Sequence, residues 1–200
     1  MDSRSSDQVI HVQTYHDLPL NEREALRYAG GGDDSVRQLL SEAWEETKTQ
    51  LSYKVCWRQY DLRRTDEGAT DLGFAGVESA DLARNLRGCD RIVVFAATIG
   101  LGIDRLISRY QKLLPARALI LQGIGAAQAE TLCDRFCDEI RDIYGACRPR
   151  FSPGFGDLPL SLQRDIFDAL DPERKIGITL NESLLMTPSK SVTAIIGICQ

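Results

Sequence analysis

Apolar residues follow a helical period in the first quarter of the chain. Between residues 33 and 50 they recur at steps of three and four, which predicts an amphipathic helix capped by Asp33 or Asp34. A shorter helix is predicted to begin after Asn21, whose side chain is a favourable cap. Residues 1–15 lack this pattern and are predicted to form a flexible or weakly extended lead-in.

The pattern changes to extended structure in the middle of the chain. Near-alternation over residues 51–62 predicts a strand, and a second extended run at 71–77 is expected to form a hairpin with it. Ser79 is predicted to cap a short helix over residues 80–86. The continuous apolar run at 90–97 predicts a central buried strand. Pro115 is expected to open a long helix that reaches about Tyr144. A further helix is predicted over residues 160–170, followed by an extended tail.

Composition narrows the class of protein. The 200 residues are 43% hydrophobic and 26% charged, as expected for one compact domain. The net charge of −5 argues against nonspecific nucleic-acid binding, which depends on neutralising phosphates. No apolar run is long enough for a membrane span, and the polar residues 1–8 do not resemble a secretory signal. We therefore expect a cytoplasmic protein with no membrane or nucleic-acid partner, and six scattered cysteines that remain free thiols.

The long predicted helix carries an unusual small-residue segment. Gly123 and Gly125 lie among alanines, although each glycine costs a helix about 1 kcal/mol relative to alanine. This composition indicates close packing against another backbone or against a ligand. Glu130 follows on the same helix, where its carboxylate either faces that ligand or is simply a solvated helix acid.

The loop after this helix is the strongest candidate site. Arg150 precedes a segment in which proline and glycine alternate with aromatic residues, Phe151-Ser152-Pro153-Gly154-Phe155. Glycine permits a close backbone approach, proline fixes the shape of the loop, and arginine offers a planar fork to a carboxylate. A structural turn with a surface arginine is the alternative. Taken together, Glu130 and Arg150 would match the ammonium and carboxylate ends of an amino-acid moiety.

Other motifs are weaker. The turn at residues 98–102 follows a strand and carries two glycines, but it lacks the third glycine of a dinucleotide-binding loop. Cys133, Cys137 and Cys147 form a possible metal or redox group, although buried cysteines more often serve as small hydrophobic residues. We predict no catalytic residue and no metal ligand.

The C-terminal quarter resembles a known family. The Arg150–Phe155 loop, the Ile176-Gly177-Ile178 and Leu180-Asn181-Glu182-Ser183 segments, and the Met186–Val192 segment resemble in order and spacing the activation domain of cobalamin-dependent methionine synthase. The helical N-terminal part and the 95–100 strand and turn look like free-standing forms of that domain. The resemblance implies a single α+β domain over residues 16–200, with a helical part at about 20–50. Its sheet would be twisted, mostly antiparallel and flanked by helices.

The resemblance also implies an S-adenosylmethionine site. On matching positions, Arg150 would bind the methionine carboxylate, Glu130 would match the helix acid near the ligand, and the backbone near Ser152 and Gly154 would contact the adenosyl part. Phe155 stands where the family loop has tyrosine. The aspartate that the family carries near the start of the domain has no evident match, and Asn181 replaces a usual threonine.

The implied function is assistance to a partner enzyme. The chain would be a reactivation component rather than a complete enzyme, binding S-adenosylmethionine and docking on a cobalamin-binding methionine synthase that lacks its own activation domain. There it would support the reductive methylation of cob(II)alamin, with an electron from a flavodoxin-like protein. The departures at Phe155 and at the unmatched aspartate motivate an alternative, a non-catalytic module that binds a corrinoid protein without using S-adenosylmethionine.

Overall fold

A four-stranded antiparallel sheet forms the centre of the domain. The computed structural model describes residues 9–64 and 69–199. In chain order its elements are β1 (His11–Tyr15), α1 (Glu22–Tyr28), α2 (Asp34–Thr47), β2 (Tyr53–Asp61), β3 (Arg63–Arg64), β4 (Thr70–Asp71), β5 (Gly76–Val77), α3 (Ala80–Asn85), β6 (Cys89–Thr98), α4 (Gly102–Tyr110), α5 (Pro115–Tyr144), α6 (Leu162–Leu170), α7 (Pro172–Ile176), β7 (Thr179–Leu180), β8 (Met186–Thr187) and β9 (Ser191–Cys199). The central sheet has the order β1-β2-β6-β9, and the short strands form two small sheets, β3-β4-β5 and β7-β8.

The central sheet is buried on both faces. Side chains of a strand alternate between faces, so Val93 and Phe95 of β6 join the apolar layer beneath α5, whereas Ile92 and Val94 join the layer beneath α6. Helices α1, α2 and α4 pack against α5 on the first face. Both layers bury β6, which explains the continuous apolar run at 90–97 and confirms it as a central strand.

Four helix starts agree with the sequence. The side chain of Asn21 accepts a hydrogen bond from the backbone of Glu24, and Asp33 rather than Asp34 caps α2. Ser79 caps α3 by accepting from the Leu82 backbone. The long helix α5 begins at Pro115 and ends at Tyr144, as predicted.

The small-residue segment of α5 is a helix–helix contact. A Cβ built on Gly123 would lie 2.4 Å from the backbone oxygen of Ala25 in α1. A Cβ on Gly125 would instead meet the Lys190 side chain, at 3.0 Å from Cε. Of the two predicted explanations, packing against another backbone therefore accounts for Gly123.

Two expectations about extended segments were wrong. The predicted lead-in contains β1, whose residues His11–Tyr15 pair with β2 along their whole length; residues 1–8 lie outside the described part of the chain. Strand β2 pairs with β1 and β6, not with the 71–77 run, which joins the small sheet of β3, β4 and β5. The α+β class, with a mostly antiparallel sheet flanked by helices, is confirmed.

Candidate functional site

The segment that carries Arg150 is attached to the edge of the sheet. Beside β9, Phe151 and Ile195 exchange two backbone hydrogen bonds of 2.8 and 2.9 Å, and the Arg148 N–H donates to the Gly197 carbonyl. This extended segment occupies the side of β9 that faces away from β6. Neighbouring side chains consequently point to opposite faces, with Arg150 towards α5 and Phe151 towards the α6 layer.

Arg150 bridges two carboxylates on one face of α5. Its Nη2 lies 2.5 Å from Glu130 Oε2, and its Nη1 lies 2.5 Å from Asp134 Oδ1. The arginine side chain is 22% exposed, against 43% for Glu130 and 67% for Asp134. Burial alone would lower the pKa of Arg150, but the hydrogen bond with Asp134 and the charge of Glu130 hold it above its ordinary value. The guanidinium is therefore fixed in place and permanently charged.

An open cavity of about 600 Å³ lies beside this cluster. Its walls come from the second half of α5 and from residues 147–150, and include Asp134, Cys137, Arg141 and Arg150. Tyr28, at the end of α1, is exposed and does not line this cavity, but its pKa is raised, first by burial and then by the charge of Glu130. A largely polar recess thus lies beside the arginine.

The rest of the loop folds back on itself. The Gly154 N–H donates to the Leu158 carbonyl at 2.9 Å, and the Phe155 N–H donates to the Ser152 carbonyl at 3.1 Å. Gly154 has φ of +86°, a conformation that favours glycine, and a Cβ there would lie 3.1 Å from Leu160. The glycine is therefore required by the local backbone, as its position in the sequence indicated.

Phe155 lies on the Phe151 side of the loop. Its ring is 71% exposed and contacts Phe151 edge to face, with ring centroids 5.9 Å apart. Together the two rings line a groove of about 340 Å³ between the loop and α3, which contributes Asp81, Arg84 and Asn85. This groove is separate from the recess at Arg150.

The structure brings together part of the predicted site. Arg150 and Glu130 are in direct contact, while Phe155 is grouped with Phe151 on the α6 side. Asp134 was not anticipated, although its spacing of four residues from Glu130 places both acids on one helix face.

Other sequence candidates lie outside this cluster. All six cysteines are free, and the described residues contain no group of three or more His, Cys, Asp or Glu side chains that would hold a metal. Cys133 is fully buried in the apolar layer beneath α5, which supports its interpretation as a small hydrophobic residue. Among the described helices, none has the length and apolar character needed to cross a membrane.

A comparison with solved structures shows which known domain has a similar fold. The overall fold matches that of a methionine synthase reactivation domain. The crystal structure of the MetH reactivation domain bound to AdoHcy superposes with a TM-score of 0.70 at 14% sequence identity, covering 95% of this chain and 78% of that one. No family model matches the sequence, and no curated protein matches it significantly. The resemblance drawn from the Arg150 loop is thus confirmed at the level of the fold.

Proposed function

We infer that the chain binds S-adenosylmethionine and serves as a reactivation module for a separate cobalamin-dependent methionine synthase. The observation that carries this proposal is the contact of Arg150 with Glu130 beside an open recess, in a fold whose solved relative binds AdoHcy. An arginine fork and a nearby carboxylate are complementary to the two charged groups of an amino acid. This supports the residue assignments made from the resemblance.

Ligand binding must compete with the ion pairs of Arg150. Asp134 is the more exposed of its two acidic partners, so a ligand carboxylate would replace Asp134 more readily than Glu130. Glu130 would then accept the ligand ammonium while remaining close to the guanidinium. Since Arg150 has five N–H donors, it can hold a carboxylate and keep a bond to Glu130.

The net charge of the cluster formed by Arg150, Glu130 and Asp134 also favours S-adenosylmethionine as the ligand. One guanidinium and two carboxylates give the cluster a net charge of −1. S-adenosylmethionine carries an ammonium, a carboxylate and a sulfonium, and so has a net charge of +1. The sulfonium would thus be attracted to the acids of α5, an attraction that the uncharged sulfur of S-adenosylhomocysteine lacks.

The adenosyl part would cross the loop. From Arg150 the backbone of Ser152 and Gly154 leads around the sheet edge towards Phe155, whose exposed ring offers a surface for stacking an adenine. We assign Arg150, Glu130, Ser152, Gly154 and Phe155 to ligand binding on this basis. No side chain is given a catalytic role.

The proposed reaction belongs to the complex with the partner. Cobalamin, held by the partner synthase, supplies the centre that is reduced and methylated, and a flavodoxin-like protein supplies the electron. The present chain contributes binding and orientation of the methyl donor. We place this complex in the cytoplasm.

Calorimetric titration with S-adenosylmethionine tests the binding site. We expect Arg150→Ala to weaken binding at least tenfold. Arg150→Lys should also weaken it, because lysine keeps the charge but loses the planar fork. Arg141→Ala is the matched control, since Arg141 lines the same cavity but is paired with Asp138. Binding that is absent in the wild type or undiminished in Arg150→Ala would contradict the assignment.

The second candidate function is docking on a corrinoid protein without S-adenosylmethionine. It is favoured by the pairing of Arg150, whose guanidinium already binds two carboxylates that a ligand would have to compete with, and by the phenylalanine at position 155. Thermal unfolding separates the two functions, because a ligand that binds only the folded state must raise the unfolding temperature. Copurification of a corrinoid protein without ligand protection would support this alternative.

A further inference from the structure

Cys89 and Cys199 are directly opposed on neighbouring strands. The register of β6 and β9 pairs the two cysteines, next to an irregularity where Asp90 is the extra residue of β6. Opposed residues of an antiparallel pair point to the same face of the sheet. Both side chains therefore project towards the layer that contains Leu86.

Their position in the hydrogen-bond pattern brings the thiols close. The Cys199 N–H donates to the Ala146 carbonyl at 2.8 Å, on the side of β9 that faces away from β6. Because the N–H and C=O of a strand residue point the same way, Cys89 and Cys199 form a non-hydrogen-bonded pair. In such a pair the Cα atoms are about 4.5 Å apart, which is within the range that a disulfide spans.

The space around the pair is also suitable. A Cβ built on Gly197 would lie 2.8 Å from the Cys89 sulfur, so the thiol occupies the room that this glycine leaves open. Both cysteines are half-buried, and this leaves them accessible to a small reagent. Cys56 and Cys133, by contrast, are fully buried.

We propose that Cys89 and Cys199 form a cross-strand dithiol that is oxidised to a disulfide by a low-molecular-weight disulfide such as oxidised glutathione. One protein thiolate attacks the small disulfide, forming a mixed disulfide and releasing one small thiol. The second protein thiolate then attacks the mixed disulfide, closing the protein disulfide and releasing a second small thiol. Two protein thiols are oxidised, one small disulfide is reduced, and two protons leave the protein.

The bond would act on the sheet edge that carries the candidate site. It would link the last residues of β9 to β6, and β9 holds the segment of residues 146–151 by backbone hydrogen bonds. Arg148 of that segment also donates to the Arg87 carbonyl, beside the dithiol. The modification would therefore fix the strand that supports Arg150, whatever ligand the site takes.

The burial of Cys89 determines how the rate of thiol–disulfide exchange should depend on pH. Burial and then the neighbouring Cys199 thiol raise the pKa of Cys89 to about 12, against the weaker opposing effect of Arg148. Because the thiolate is the reactive form, the exchange should be slow at pH 7 and faster at pH 9.

Peptide mapping after incubation with oxidised glutathione tests the proposal. Trypsin places each of the six cysteines on a separate peptide, with Cys89 on residues 88–91 and Cys199 on residues 191–200. We expect these two peptides to be recovered as one linked species that reduction separates. The oxidised protein should unfold at a higher temperature than the reduced protein, because the bond closes a long loop.

Single variants provide the controls. Cys89→Ser and Cys199→Ser should abolish the linked species and leave a glutathione adduct on the remaining cysteine, whereas Cys147→Ser should leave the linkage unchanged. The wild-type map does not depend on the folding of any variant. A link between Cys137 and Cys147, adducts without a link, or unreacted thiols at pH 9 would each overturn the proposal.

Discussion

The carboxylate of Asp157 accepts a hydrogen bond of 2.7 Å from the backbone N–H of Ala80, at the first turn of helix α3. The same side chain accepts from the Ser79 hydroxyl and from the Asp81 N–H. A residue of the loop therefore caps a helix 77 positions earlier in the chain. This contact attaches the loop between Arg150 and Leu162 at a second point, in addition to the sheet edge.

Removal of this cap should destabilise the domain in a pH-dependent way. The hydrogen bond from Ser79 is the main cause that holds the pKa of Asp157 below its ordinary value. A lowered pKa gives stability that is present above the unfolded-state pKa and is lost as the pH falls through the folded-state pKa. We expect Asp157→Ala to lower the unfolding temperature at pH 7, with the difference from wild type shrinking below about pH 4.

An exposed acid on a neighbouring helix gives the control. Asp168 lies on α6 with its side chain in solvent, so Asp168→Ala should leave the unfolding temperature nearly unchanged. Equal effects of the two substitutions, or a loss in Asp157→Ala that does not depend on pH, would show that the cap contributes little.

Gly123→Ala should destabilise the contact between α1 and α5. The added Cβ would lie 2.4 Å from the Ala25 carbonyl oxygen, which is backbone and cannot move aside cheaply. Overpacking of this kind costs about 1–3 kcal/mol and should outweigh the helix-propensity gain of about 1 kcal/mol. The measurement is the free energy of unfolding in urea.

Gly125→Ala is the matched comparison on the same helix. Its nearest neighbours would be side chains rather than backbone, the flexible Lys190 at 3.0 Å and Ile103 at 3.2 Å, and side chains can shift further than backbone. We expect a smaller loss in the free energy of unfolding than for Gly123→Ala. A Gly125→Ala variant that loses as much stability as Gly123→Ala would contradict the backbone explanation.

Local signals in the sequence predicted local structure well. The caps at Asn21 and Ser79 and the start of α5 at Pro115 depend on neighbouring residues, and each was confirmed. Strand β1 was missed because its polar alternation is weak in a short segment, and pairing with β2 is what stabilises it. The partner of β2 was predicted incorrectly because strand pairing depends on contacts distant in the sequence.

In the candidate site, too, local patterns indicated some residues, whereas contacts between distant parts of the chain could not be predicted. Arg150 and Glu130, which the sequence grouped as candidates, are in contact, and a helical repeat of four residues would also have indicated Asp134. The position of Phe155 could not be predicted, because it depends on the attachment of Phe151 to β9. The cap from Asp157 to α3 joins residues that no local pattern connects.

Phe155→Tyr should strengthen binding of S-adenosylmethionine if the loop holds the adenosyl part. The phenyl ring is 71% exposed, so a hydroxyl can be added without disturbing the packing. One additional hydrogen bond contributes about 0.5–1.5 kcal/mol, equivalent to roughly two- to tenfold in affinity. Calorimetric titration of the two proteins measures the difference. Phe151→Tyr is the comparison, because Phe151 packs against the α6 layer; an equal gain there would argue against a specific role for position 155.

The acidic partners of Arg150 predict a preference between two ligands that differ by one charge. The net negative cluster should bind S-adenosylmethionine about tenfold more tightly than S-adenosylhomocysteine, because only the former carries a sulfonium. Glu130→Gln should reduce this ratio, and added salt should reduce it in the wild type, since the acids are partly exposed. Glu173→Gln removes an equal charge from α7, on the α6 side of the sheet, and should leave the ratio unchanged. Titration of both ligands against the three proteins tests this electrostatic account, and a wild type that does not distinguish the two ligands would contradict it.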